Sequence, residues 1–490
     1  MKSLFSARIV LGLASGLSLL AATGPVAAQT YHAADLGALL SGAYSYAYGI
    51  NNAGQVVGYW NTGTNGVHAF LYSDGTMTDI GTPGGTNTYA LGINAAGQVV
   101  GFSDTAAPSL PGSTRAFLYS NGAMTNLGSL GGLNSYAYGL NTNIQIVGYI
   151  DTLLGARAVV YANGNATNLG TLGGADSYAY SINASGSVVG ASKISGGNLN
   201  AFLWENGVLT NLNALIPTNS GWALLEARGI NDAGNIVGWG RINGEERAFL
   251  YSNGAVTDLG IVLGTTNSYA LGLNNSNQVV GASTLNNNLT HAFLWQDGVL
   301  TDLNDLLPTN SGWELREARG INEHRQIAGW GIFNGQERAF LLTPPPAIGS
   351  QPQSQIAIFG QNAVFSVGAW GSPQLNYQWH FNGSPIAGAT SSSLTVSNVQ
   401  LSDGGDYTVT VSNVAGSVVS APATLTVHYS LTLTATTGGA VEKNPLQASY
   451  PPDSIVTLSA AATNENYRFG GWSGDAGGAI SPLVVVMDKN

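Results

Sequence analysis

Two glutamates stand where the chain otherwise repeats tyrosine. Tyr46, Tyr89, Tyr136, Tyr178 and Tyr269 hold equivalent places in a recurring phrase, and Glu226 and Glu317 replace them in its fifth and seventh copies. Two residues on, those copies carry Arg228 and Arg319 where the others have Tyr or Leu. Side chains two apart on an extended strand share a face, so each glutamate lies beside its own arginine. Two chemistries are open to this set. Tyrosine faces stack on sugar rings and carboxylates accept sugar hydroxyls, which makes a glycan the natural ligand. Two carboxylates could also cleave a glycosidic bond if they faced each other at about 5–10 Å. A neighbouring arginine makes each a poor general acid, so no catalytic residue is assigned. The plainer alternative is a pair of ion bridges with the tyrosines as packing.

Trp222 and Trp313 close two long, nearly identical connections, Leu212 to Trp222 and Leu303 to Trp313, each containing Pro-Thr-Asn-Ser-Gly-Trp. Long loops often carry binding, so both tryptophans are candidates; the alternative is that each covers a gap between packed units. Other motifs are missing. The chain has no His-Glu-x-x-His, no Gly-Lys-Ser/Thr phosphate loop and no Gly-x-Ser-x-Gly elbow. Its six histidines show no ligand spacing, and zero cysteine excludes disulfides and thiol chemistry. No metal or cofactor is expected.

The elements that must position these residues come from a repeat. Gly-Ile-Asn, a turn, then Gln-Val-Val-Gly recurs with its asparagines at Asn51, Asn94, Asn141, Asn183, Asn231, Asn274 and Asn322, at intervals of 42 to 48 residues. Each unit holds four short segments rich in Val, Ile, Tyr, Phe and Thr, which read as strands. In the second unit they are residues 89–94, 98–102, 116–120 and 124–128. Asp74-Gly75, Asn121-Gly122, Asn163-Gly164, Asn206-Gly207, Asn253-Gly254 and Asp297-Gly298 separate third from fourth segments and suit tight type I′ hairpins. Asn51 with Gly54 suits the outer positions of a type I turn. The expected fold is all-β: a seven-bladed propeller of four-stranded antiparallel meanders. The repeat ends at residue 342 without a fourth segment, while residues 33–37 open it with an orphan fourth segment. The N-terminal strand therefore completes the seventh blade and removes two open sheet edges.

His68-Ala69-Phe70 and His291-Ala292-Phe293, each followed by Leu-Tyr or Leu-Trp, an Asp-Gly turn and Thr-Asp-Ile/Leu, resemble the bacterial HAF-repeat extracellular proteins over residues 31–342. The resemblance implies export and repeat architecture, without an activity. Arg115, Arg157, Asn200, Arg247 and Arg338 replace the histidine elsewhere, so it is not a repeated chemical group.

Residues 1–28 read as an export leader: Lys2 and Arg8, an apolar stretch from Ile9 to Leu20, then Val26-Ala27-Ala28. Residues 343–346 are a proline-rich linker. Residues 347–427 resemble an immunoglobulin-like domain, with Trp379 in Tyr-Gln-Trp, a tyrosine corner at Asp403 to Tyr407, and Val367 and Val409 where cysteines usually pair. Residues 428–490 resemble an internalin-B-type surface repeat through Leu431 to Ala435, Gly438 to Val441 and Gly471 to Asp475, expected to be incomplete. A net charge of −11 argues against nucleic acid and anionic lipid as partners, and no membrane insertion is expected once the leader is cleaved. The expected function is a secreted or cell-surface binding or adhesion protein whose partner is a polysaccharide or a cell-surface protein. A polysaccharide-acting hydrolase or lyase and a structural matrix protein are the alternatives.

Overall fold

A computed structural model describes residues 30–37, 44–63, 66–105, 113–262, 264–285, 289–371 and 374–488. The leader expected over residues 1–28 lies outside them. Apart from three short 3₁₀ turns, every described regular element is a strand.

Between His32 and Thr343 the chain forms seven sheets of four antiparallel strands. The strands of the second unit are Thr88–Ile93, Val99–Asp104, Thr114–Ser120 and Ala123–Asn126, each boundary within two residues of the sequence expectation. Turn chemistry follows the side chains. Asn121 and Gly122 both take positive φ, as do Asp74-Gly75 and the other four hairpin pairs, which matches a type I′ turn. Gly97 N–H donates to the Asn94 carbonyl at 3.0 Å and closes the first turn of that unit.

The seventh sheet draws on both ends of the repeat. Trp313–Ile321, Ile327–Phe333 and Gln336–Thr343 supply three strands, and His32–Asp35 pairs antiparallel with the last, with Ala33 opposite Leu342. Asp35 accepts from Gly37 N–H at 2.8 Å and lies 3.9 Å from Arg338. Asp79 does the same in the first unit, accepting from Gly81 at 2.7 Å and from His68 Nδ1 at 2.7 Å. Sheets of this form fit the blades of a propeller.

Cores lie between neighbouring sheets. One holds Val57 and Ala69 of the first unit with Ala90, Val99 and Phe117 of the second. Another joins Ala47, Val56 and Phe70 of the first to Ala328 and Ala339 of the seventh. The phenylalanine of the third strand is fully buried in six units, and Val159 replaces it in the third. The glycine of Val-Val-Gly explains itself by contact: a Cβ on Gly101 would stand 1.8 Å from the Tyr89 carbonyl oxygen. At that point the first strand shifts register, between Ala90 and Gly92, and the same shift recurs in every unit.

Residues 347–428 form a further β domain in which Trp379 is fully buried and donates Nε1–H to the Ser391 carbonyl at 2.9 Å. Tyr407 Oη donates to the Asp403 carbonyl at 2.9 Å, the tyrosine corner expected there. Val367 and Val409 are buried in its core. The last module carries a three-stranded sheet, Gly439–Asn444, Ile455–Ala462 and Leu483–Val486. The proline linker is packed: Asn413 Nδ2 donates to the Pro344 carbonyl at 2.8 Å, and Arg325 of the seventh unit lies 3.8 Å over the Trp370 ring.

Candidate functional site

The seven first strands converge on a common centre, and successive alternate residues on them make three layers. The outermost layer contains the tyrosines singled out from sequence. Trp330, Tyr46, Tyr59, Tyr89, Phe102, Tyr136, Tyr149 and Tyr178 follow one another ring to ring, with centroids 4.5 to 5.3 Å apart. In the first three units the first-strand tyrosine pairs with the second-strand residue after Val-Gly, which in turn meets the tyrosine of the next unit. All eight rings are half-buried. The belt continues as Trp239 against Tyr269 at 5.5 Å.

Two interruptions break the belt. Ala191 and Ala282 occupy the second-strand position in the fourth and sixth units, and Glu226 and Glu317 follow on the next first strands. Each glutamate is ion-paired with its own arginine, Arg228 or Arg319, as the period of two requires. Arg228 also lies 4.1 Å over the Tyr180 ring and Arg319 4.1 Å over Tyr48.

The middle layer lines the central cavity. All seven first strands contribute to it: Tyr48, Leu91, Tyr138, Tyr180, Arg228, Leu271 and Arg319 surround about 260 Å³. The Tyr46 series and the two glutamates stand two residues away from this lining. The third layer is an aliphatic collar that includes Leu140 and Ile182, and beyond it a second cavity of about 230 Å³ is bordered by Asn141, Asp232 and Glu323. The arginine end and the acidic end are thus separated by apolar side chains.

Below the collar the seven asparagines form a relay. Asn51 Nδ2 donates to the Asn94 carbonyl at 3.1 Å, and the same bond passes through Asn141, Asn183, Asn231, Asn274 and Asn322. Asn322 donates to the carbonyl of Asn51 and returns the series to its start. Each asparagine is 5% exposed or less. Its Oδ1 accepts backbone N–H groups of its own turn, as Asn141 does from Asn143 and Gln145 at 3.1 Å.

Burial sets the protonation of the belt. It raises the phenols of Tyr59 and Tyr149 well above the usual range, and it raises Tyr46, with the hydrogen bond to Glu337 as the next cause. Tyr269 is pushed up to about 12 by burial and then by its 2.7 Å bond to Glu246. These hydroxyls therefore keep their protons to higher pH than an exposed tyrosine does.

Trp222 and Trp313 stand apart from the cavity. Trp222 meets Phe249 edge-on at 6.2 Å, and Trp313 stacks on Phe333 at 4.7 Å; each packs against a core between units. Sequence reasoning passed over Tyr48, Tyr138 and Tyr180, which line the cavity, and the second-strand aromatics. Their signal was present in the aligned units, as the residue after Val-Gly alternating between an aromatic and Ala191 or Ala282. Among the described residues no cluster of His, Cys, Asp and Glu could hold a metal ion.

Three stretches match known sequence families: an immunoglobulin domain over residues 345–413, a protein of unknown function, DUF3466, over residues 41–131, and a divergent InlB B-repeat domain over residues 429–490. A search of curated proteins finds no match. Among solved structures, titin domain M7 is 31% identical, over 17% of this chain and 92% of that one, with a TM-score of 0.16. The titin M3 domain is 25% identical, over 17% and 96%, and a tandem immunoglobulin repeat of Dlar is 19% identical, over 21% and 61%, each with a TM-score of 0.16. Among the described residues no helix is long and apolar enough to cross a membrane. An immunoglobulin domain followed by an InlB-type repeat fits a surface or adhesion-type protein.

Proposed function

We propose that residues 29–342 form a closed seven-bladed propeller of the HAF-repeat kind whose channel mouth binds a glycan, on a secreted or cell-surface adhesion protein extended by its two trailing modules. The observation that carries this reading is the arc of eight contacting aromatic rings beside a tyrosine-lined cavity. Half-buried rings offer flat apolar faces to a sugar while hydroxyls and amides around them hydrogen-bond its edges. Closure is supported by the asparagine relay and by the pairing of residues 32–35 with 340–343. Export is supported by the leader-like residues 1–28. The ion pairing of Glu226 and Glu317 favours binding over hydrolysis, since each carboxylate is already engaged.

The test is a screen of residues 29–490 against bacterial and plant polysaccharides, with reducing-sugar release read from the same wells. Binding that disappears in Tyr136→Ala, without sugar release, is the expected result. Sugar release abolished by Glu226→Gln would assign a hydrolase instead. Silence across the panel would remove the glycan and leave protein adhesion or a matrix role.

A further inference from the structure

We infer that the sugar taken at this mouth is acidic, and that Arg228 and Arg319 hold its carboxylate; this rests on the glycan reading above. The two arginines are the charged groups among the residues that line the cavity, in a chain whose net charge is −11. Their setting is specific. Each stacks on a tyrosine at 4.1 Å, and each is tied through Nη2 to the glutamate two residues before it. Stacking and pairing together fix the guanidinium plane, so little side-chain freedom remains to be lost on binding.

The arginines are also incompletely used. The side chains of Arg228 and Arg319 stay 34% and 28% exposed beside their glutamates, so each keeps surface free for a ligand. The group that best satisfies a guanidinium edge is a planar carboxylate. The fifth and seventh units supply these two cations on either side of Leu271 of the sixth. A neutral sugar would offer each arginine no charge beyond that of its own glutamate. The opposite end of the channel cannot serve an anion, because Asp232 and Glu323 border it beyond the collar. A cavity of about 260 Å³ is smaller than the usual drug-sized pocket of about 300 to 1,000 Å³, which suits a single sugar ring with its chain continuing over the aromatic belt.

Calorimetry on residues 29–490 with galacturonic acid, galactose, acetate and sulfate tests this. The paired variants Glu226→Gln/Arg228→Gln and Glu317→Gln/Arg319→Gln remove cation and anion together, so no buried glutamate is left unpaired, and thermal melts verify that they fold. Galacturonic acid should bind at least about tenfold more tightly than galactose, with the preference lost in either variant. Equal binding of the two sugars, still dependent on Tyr136, would overturn the inference and leave the glycan reading standing. An acid preference that survives both variants would also overturn it. Acetate or sulfate binding as tightly as galacturonic acid would assign a plain oxyanion site and remove the sugar. No binding by any probe, with no polysaccharide retained in the screen, would overturn both readings.

Discussion

Asn322 donates its Nδ2–H to the carbonyl of Asn51, 271 residues earlier, at 3.0 Å. The bond repeats the one each earlier asparagine makes to its successor, so a turn-forming residue in every unit is also the clasp between units. One side chain performs two tasks because its amide has an acceptor for its own turn and a donor for the next.

Removing a single clasp should therefore destabilise more than removing a turn residue. In Asn141→Ala the chain loses the bonds to Asn183 and Gln145 and the acceptor for two backbone N–H groups. The expected cost is about 2–3 kcal/mol. Asn143→Ala, at an exposed neighbouring position, should lie within about 0.5 kcal/mol of the parent in the same denaturant titration.

Deleting residues 30–37 exposes the edge of Gln336–Thr343 and removes Leu36 from the core between the first and seventh units. Unpaired edges associate with other chains. Light scattering should show oligomers or aggregate where the parent is monodisperse, and an unchanged mass would argue against the strand's role in closure.

Gly101→Ala places a methyl group where 1.8 Å separates it from the Tyr89 carbonyl oxygen, so the first and second strands of that unit must part. The strain falls on backbone, which cannot step aside. Loss of about 3 kcal/mol or more is expected from equilibrium unfolding.

Alkaline pH should weaken the fold through the tyrosine belt. An unfolded tyrosine titrates near 10, whereas burial and Glu246 hold Tyr269 at about 12 in the folded chain. Between those values the folded state keeps a proton that the unfolded state has lost, so unfolding stability falls as pH rises from 10 to 12. Burial likewise raises Tyr89 and Tyr136. Melting temperatures should be flat from pH 7 to 9 and decline steeply above 10, while absorbance titration finds a tyrosine class that ionises late.

The joint after the seventh unit should loosen in Trp370→Ala, which removes the ring under Arg325 while keeping the Asn413 bond to Pro344. A cation–π contact at a partly exposed site contributes about 1 kcal/mol. Limited proteolysis within residues 343–346 should accelerate about fivefold, with no change in glycan binding.

Much of the architecture was legible because its signals are local. Asn121-Gly122 accepts positive φ at both positions whatever surrounds it, so the hairpins could be placed from composition alone. The pairing of Glu226 with Arg228 needed only the period of two. The lining of the cavity was less accessible. Tyr46 and Tyr48 alternate along one strand and share a face, and the residue types do not distinguish them. The register shift between Ala47 and Gly49 and the convergence of seven strands turn Tyr48 to the cavity and Tyr46 to its neighbours Tyr59 and Trp330.

By itself, then, the sequence determined the units, their strands, their turns and the ion pairs, since each depends on residues a few positions apart. Tertiary structure alone decided which aromatic rings touch, which residues face the cavity, and that Asn322 reaches Asn51. The asparagine bonds join groups 42 to 271 residues apart, and the ring of Tyr46 meets that of Trp330 across 284. Their geometry depends on how seven similar sheets pack against one another, and no local spacing records that angle.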